Sequence, residues 1–275
     1  MMSILKKKAL WLTIYGIFIT AVFLYLLFPS DIVRSRLEEA VNSSGFILKM
    51  ESLRPSLPWG VKMKDITISS VSSADTLFQG DLLDVQLNPW SFFQKHTSLG
   101  LSGRAYGGKF DGRVGYTSLS QVYPPKEGNL NFQNIDLAGC AFIKTLLAKE
   151  ITGRAKGNLS YISAQEINGK GSGKIELLLT KGTYALAEPF LGLKRIEFDR
   201  GEIKAQFENG ILKMEKLEIA SNQINCFLKG EMTLADDFKF SQLNLSGVME
   251  IPGQNKVKMN VTIGGTLANP ILRYI

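Results

Sequence analysis

The sequence predicts a mainly β protein. A single N-terminal transmembrane helix and a short amphipathic helix come first, then an antiparallel, curved sheet that forms a groove or closes as a sandwich. Three observations predict it: a long uncharged run near the N-terminus, one short stretch of helical apolar spacing after it, and period-two alternation through most of the rest.

The uncharged run extends from Ala9 to Phe28 and follows Lys6, Lys7 and Lys8. A helix rises ~1.5 Å per residue, so about twenty apolar residues cross a ~30 Å hydrocarbon core. A signal peptide has a shorter apolar region and a small-residue cleavage site, whereas Phe28-Pro29-Ser30-Asp31 offers no such site. A buried core helix would keep a polar face, and this run has none. The expectation is a retained anchor over residues 9–28. Its apolar and aromatic side chains, Trp11, Tyr15, Phe18, Phe23, Tyr25 and Phe28, include amphipathic rings toward the ends of the span. The positive-inside bias places residues 1–8 in the cytoplasm, with Lys6 to Lys8 as the topological signal. The rest of the chain then faces outward, into the periplasm in a Gram-negative cell or at the cell surface otherwise.

Residues 29–45 read as the amphipathic helix. Asp31 lies in its first turn, where the helix dipole favours negative charge. Val33, Leu37 and Val41 recur at i, i+4 and i+8, while Arg34, Glu38 and Glu39 point away, and Gly45 is a natural terminator. Such a helix lies on the membrane surface or caps the end of a sheet; capping is the simpler reading.

Residues 46–275 form the expected β-rich domain. Val257, Met259, Val261 and Ile263 alternate with Lys258, Asn260 and Thr262. Ile203, Ala205 and Phe207 alternate with polar neighbours, as do Ile224, Cys226 and Leu228, and Phe110, Gly112, Val114 and Tyr116. Turn signals separate the runs at Gly107-Gly108, Glu127-Gly128-Asn129, Asn168-Gly169, Asn209-Gly210 and Pro252-Gly253, and Asn209-Gly210 is the clearest hairpin. Two segments interrupt the pattern: the aromatic stretch Pro89 to Phe93, read as a corner, and Leu137 to Leu147, read as a short helix. "SGRAYGG" at Ser102 to Gly108 echoes "TGRAKGN" at Thr152 to Asn158. One apolar sheet face must be covered. If it curves into a groove, Ile203, Phe207, Ile224, Leu228, Val257, Met259, Val261 and Ile263 are its candidate lining.

The net charge is +7, but Lys6 to Lys8 contribute to it, and the other charges alternate in sign along the strands. No basic stripe with interleaved aromatics is present, so nucleic acid is not an expected partner. His96 lies in the polar stretch "QKHTS" without ligand-spaced partners, and reads as a surface loop residue. Asp236-Asp237 reads as a turn opening, and Gly171-Ser172-Gly173 as the start of a strand. The chain has no G-x-S-x-G, P-loop or dinucleotide fingerprint. No enzymatic activity, metal or cofactor is expected. Cys140 and Cys226 lie in apolar surroundings, and two buried thiols are favoured over a disulfide.

The order of segments in "FPSDIVRSRLEEAVNSSGFILKMESLRPSLPWGVKMKDITI", the central "FDRGEIKAQFENGILKMEKLEIASNQINCFLKGEMTL" and the closing "GGTLANPILRYI" resembles the type II secretion system protein N family, which is itself similar to the AsmA-like envelope proteins. The resemblance implies a bitopic inner-membrane protein that is an accessory or structural component of type II secretion. Its periplasmic β-rich domain would contact other secretion proteins, with an exposed strand edge at Tyr274 and Ile275 as the natural contact. The alternative implied by AsmA-like relatives is a module that binds or transfers lipid, with acyl chains in the groove. The family brings no catalytic residues to carry over.

Overall fold

In a computed structural model, the structure describes residues 2–42, 45–71, 75–88, 97–117, 125–147, 149–163, 171–190, 192–235, 237–252 and 257–274. Within helix and strand, the side chains of residues 2–10, 17, 24, 187, 188 and 190 are also outside the described set. Lys6, Lys7 and Lys8 therefore fall outside it as side chains. The aromatic stretch from Pro89 to Phe93, His96, Asn168-Gly169, Asp236, Gly253 and Ile275 lie outside the described residues altogether.

The chain opens with α1 (Met2–Leu26) and α2 (Ser30–Asn42). Along α1, Trp11, Tyr15, Phe18, Phe23 and Tyr25 are exposed. Among the described residues, no helix is long and apolar enough to cross a membrane. α2 carries Asp31 in its first turn, and Gly45 follows it at φ 86°, the left-handed geometry that glycine tolerates.

The remainder is one open antiparallel sheet of fifteen strands. Its first strands are β1 (Phe46–Lys49), β2 (Ser52–Ser56), β3 (Gly60–Ser70), β4 (Thr76–Leu87) and β5 (Thr97–Ala105). β6 (Gly108–Tyr116), β7 (Glu127–Asp136), β8 (Arg154–Ile162), β9 (Ser172–Phe190) and β10 (Leu193–Glu208) form its centre. β11 (Ile211–Ala220), β12 (Asn225–Thr233), β13 (Gln242–Ile251), β14 (Val257–Gly265) and β15 (Pro270–Tyr274) complete it. From β3 onward each strand pairs with its neighbours in sequence, while β1 and β2 both pair with β3 as a broken edge. The two-sheet sandwich is thereby set aside: the apolar face belongs to a single sheet.

The turns follow their residues. Glu208 pairs with Ile211 across Asn209 (φ 50°) and Gly210 (φ 83°), the positive-φ pair that a tight hairpin demands. The turn between β5 and β6 is made by Tyr106 (φ 53°) and Gly107 (φ 69°), one residue before the expected Gly107-Gly108. Glu127-Gly128-Asn129 is not a turn. These residues lie in β7 and pair with both β6 and β8, because a polar run flanked by two partners satisfies its backbone in the ladder. Pro270 lies within the ladder as well. It opens β15 opposite Gly265, as an edge strand permits at its first residue.

Leu137 to Leu147 resolves into a 3-10 turn, Leu137–Gly139, and α3 (Ala141–Leu147). At the other end of the sheet, α2 packs Val33, Leu37 and Val41 against a cluster formed by Leu48, Met50, Leu53, Met63 and Ile66. The amphipathic helix therefore caps the sheet. Its polar side is tied by Arg34, whose Nη1 donates to the Glu51 carbonyl at 3.0 Å and whose Nε pairs with Glu38 at 3.0 Å.

Candidate functional site

Register places the apolar side chains on one face. Gly157, Leu177, Ile203, Leu217, Leu228, Gly247 and Val261 are consecutive partners from β8 to β14. Ala205, Met214, Gly230, Leu245 and Ile263 form the adjacent row. Side chains alternate across a strand, so these rows share a surface while Lys204, Lys216 and Lys229 lie on the other.

That face bends around a cavity of about 540 Å³ whose wall is apolar throughout. Phe78 of β4, Phe110 of β6 and Phe132 of β7 line one side. Leu179, Ile203 and Met232 represent the opposite side, contributed by β9, β10 and β12. α3 closes over it with Ile143, Leu146 and Leu147, an i, i+3, i+4 spacing that puts them on one helix face. α3 touches β4 and the 3-10 turn Phe238–Phe240, elements from distant parts of the sheet. An ion pair joins the same regions: Lys239 Nζ lies 3.1 Å from Asp75 Oδ2. The sheet is therefore curled rather than flat.

The aromatic corner of the wall is fixed by its own chemistry. The rings of Phe78 and Tyr106 meet edge-on at 6.1 Å, and those of Phe78 and Phe110 at 5.8 Å. The Tyr106 hydroxyl accepts the Gln79 N–H at 2.8 Å, beyond the end of β5 where no backbone carbonyl of that strand is available. Burial pushes the Tyr106 phenol above its ordinary pKa. Asp136 caps the 3-10 turn that leads into α3: its Oδ1 accepts the Ala138 N–H at 3.0 Å. Cys140 and Cys226 are free and buried, and desolvation pushes each thiol up to about 11.

Of the residues expected to line a groove, Ile203 lies in the cavity wall. Ile224, Leu228 and Val261 are instead buried in a packed cluster joined by Met259 and Ile263. Phe207 packs against a second cluster of Ala205, Leu212 and Met232, and Val257 is exposed. The C-terminal strands thus fill their face around Val261, while Leu212, Met214 and Met232 carry the cavity wall over from the middle of the sheet. The residues that sequence reasoning missed are those of β7, β9 and α3. In β7 the signal was present, since Leu130 and Phe132 alternate with asparagines; in β9, Leu178 interrupts the alternation of Ile175, Leu177 and Leu179. The "SGRA" and "TGRA" echo has a structural counterpart: Ala105 and Ala155 are both buried and both line the cavity.

The opposite face of the central strands carries a polar depression containing Asp111, Arg154, Lys156, Glu176 and Glu202. Glu202 accepts from Lys216 at 2.9 Å and pairs with Arg200 and Lys204 at 3.4 Å. The Lys216 hydrogen bond holds its carboxyl below the ordinary range. Charges there are mixed, which suits a solvated sheet surface. Among the described residues, no group of His, Cys, Asp or Glu could hold a metal ion.

Compared with known protein families, with curated proteins and with solved structures, the chain matches none.

Proposed function

We propose that this protein is a membrane-anchored module whose curled sheet shelters an apolar ligand, with a lipid acyl chain as the best fit. The observation that carries the reading is the cavity of about 540 Å³ with an apolar wall, within the ~300–1,000 Å³ range of ligand sites. A ligand there gains by leaving water and makes no directional contact, as a hydrocarbon chain requires. α1 supplies the anchor in this reading. The sequence is uncharged from Ala9 to Phe28, and the described large side chains from Trp11 to Leu27 are mostly exposed along the helix. Hydrocarbon is the solvent that such a surface suits. The positive-inside bias puts the sheet in the periplasm of a Gram-negative cell.

Neighbouring residues of β9 provide the test. Leu179 lines the cavity, whereas Leu178 faces the polar depression. A photo-crosslinking amino acid at each position, irradiated in native membranes, should give lipid adducts at 179 and not at 178. Equal labelling, or none at 179, would remove the lipid reading.

A second reading rests on the sheet edge. β15 is the last strand in the sheet's pairing order, and Ile271 on it is exposed, so its outer side is suited to strand addition by a partner. This fits an accessory component of type II secretion that contacts other envelope proteins. Crosslinking from Ile271 in native membranes would recover those proteins, and recovery of none would count against it.

A further inference from the structure

We propose that the turn between β2 and β3, from Leu57 to Trp59, dips into the bilayer interface beside α1 and sets the height and tilt of the sheet above the membrane. The proposal rests on the reading of α1 as the anchor.

The orientation of α2 locates the turn. Asn42, at the helix end, accepts the Leu48 N–H at 3.4 Å through its side chain, and Arg34, near the start, donates to the Glu51 carbonyl at 3.0 Å. Leu48 pairs with Ile68, whereas Ser52 pairs with Lys64 and Ser56 with Gly60. Moving from Asn42 toward Ser30 is therefore moving along the hairpin toward its turn, and α1 joins α2 at that same end. From Glu51 to Ser56 a strand climbs ~16 Å at ~3.3 Å per residue. From Arg34 back to Ser30 the helix climbs only ~6 Å. The turn thus projects roughly 10 Å past the start of α2, on the side from which α1 arrives. The polar interface on each side of a bilayer is only ~5–8 Å thick, so the turn reaches it.

Its chemistry matches that depth. Leu57 is 65% exposed and Trp59 is 60% exposed, at the tip of a hairpin in which Leu53 and Met63 are buried and Val61 is partly so. An exposed indole with a leucine in the same turn suits the headgroup boundary, where one end of the ring is apolar and the other wet. The tip is held in place, because the Trp59 carbonyl accepts the Leu87 N–H of β4 at 2.8 Å. Behind the tip, Arg54 and Lys62 stand directly opposite each other, and Lys64 shares their face. Asp84 pairs with Lys62 at 3.7 Å and offsets one of these charges. Opposed like charges destabilise a sheet, and anionic lipid headgroups relieve that repulsion.

The test uses the full chain reconstituted into phosphatidylcholine–phosphatidylglycerol vesicles containing lipids brominated high on the acyl chain. A W11F/W90F variant isolates Trp59, and a W59F/W90F variant isolates Trp11. The expected result is blue-shifted Trp59 emission, most of it lost to the bromolipid and little of it to aqueous iodide. Emission from Trp59 that iodide quenches and bromolipid does not, with Trp11 still quenched by bromolipid, overturns this proposal alone. Trp11 insensitive to bromolipid overturns the anchor and the proposal together. If W90F impairs folding, W59F measured against the unsubstituted chain gives the Trp59 signal by difference.

Discussion

Cys140 and Cys226 are 5% and 6% exposed, and desolvation raises both thiols to about 11. A thiol that ionises less readily when folded makes the unfolded chain the better acid. As pH rises through the ordinary thiol range toward about 11, the unfolded state releases protons that the folded state keeps, so stability falls across that window. Denaturation midpoints measured in detergent from neutral to alkaline pH should show this decline, and C140A/C226A should make it shallower, the buried Tyr106, Tyr116 and Tyr184 accounting for the rest. At neutral pH both thiols should react with a maleimide far more slowly than in denatured protein. Gly182 gives a steric counterpart. A Cβ there would stand 2.1 Å from the Thr152 carbonyl oxygen and 2.5 Å from the Phe198 ring. Backbone cannot retreat from that contact, so Gly182→Ala should cost about 1–3 kcal/mol, an overpacking penalty that chemical denaturation would read.

At the scale of elements, α2 is the clearest case of local pattern becoming packing. Val33, Leu37 and Val41 meet the β1–β3 cluster, and none of them is fully buried. Leu37→Ala should therefore cost about 1–2 kcal/mol, below the ~2–5 of a core leucine, and limited proteolysis should then cleave first around α2. That helix and the Asn209-Gly210 hairpin were legible in the sequence because each depends on spacing within a few residues. β9 was not. It runs for 19 residues, and Leu177-Leu178-Leu179 hides the alternation, since Leu178 sits on the polar side among Lys156 and Glu202. The turn signal at Glu127-Gly128-Asn129 misled for a similar reason: polar residues flanking a glycine are as compatible with a solvated strand face as with a loop, and pairing on both sides decides. Which apolar residues stay open and which pack together was equally hidden. Val261 and Ile203 follow the same alternation, yet one is buried in a cluster and the other lines the cavity, because curvature brings distant strands over only part of the face.

For the whole molecule the decisive quantity is the cavity. Its wall, around a volume of about 540 Å³, is apolar throughout, and covering such a wall with apolar matter gains roughly 25 cal/mol for each Å² taken from water. Water standing against that wall finds no polar partner on it. Apolar matter in the cavity removes that contact with water, which couples lipid occupancy to stability by mass action. Ile203, in the wall at the centre of β10, separates the two effects. Ile203→Trp fills space with apolar volume, and Ile203→Glu puts a carboxylate against the same wall with no cation beside it on that face. Both should lower the lipid recovered with the purified full chain, as counted by native mass spectrometry. Their stabilities should diverge. Delipidated I203W should unfold at or above the midpoint of delipidated parent, whereas I203E should fall below it, because an isolated charge cannot be desolvated without either a partner or a proton. Lys204→Glu, one residue along on the solvated face, should leave lipid recovery at the parent level. If I203W lowered stability while lipid recovery stayed unchanged, the cavity would be a packing detail of the sheet rather than a site, and the fold would have to be explained without a ligand.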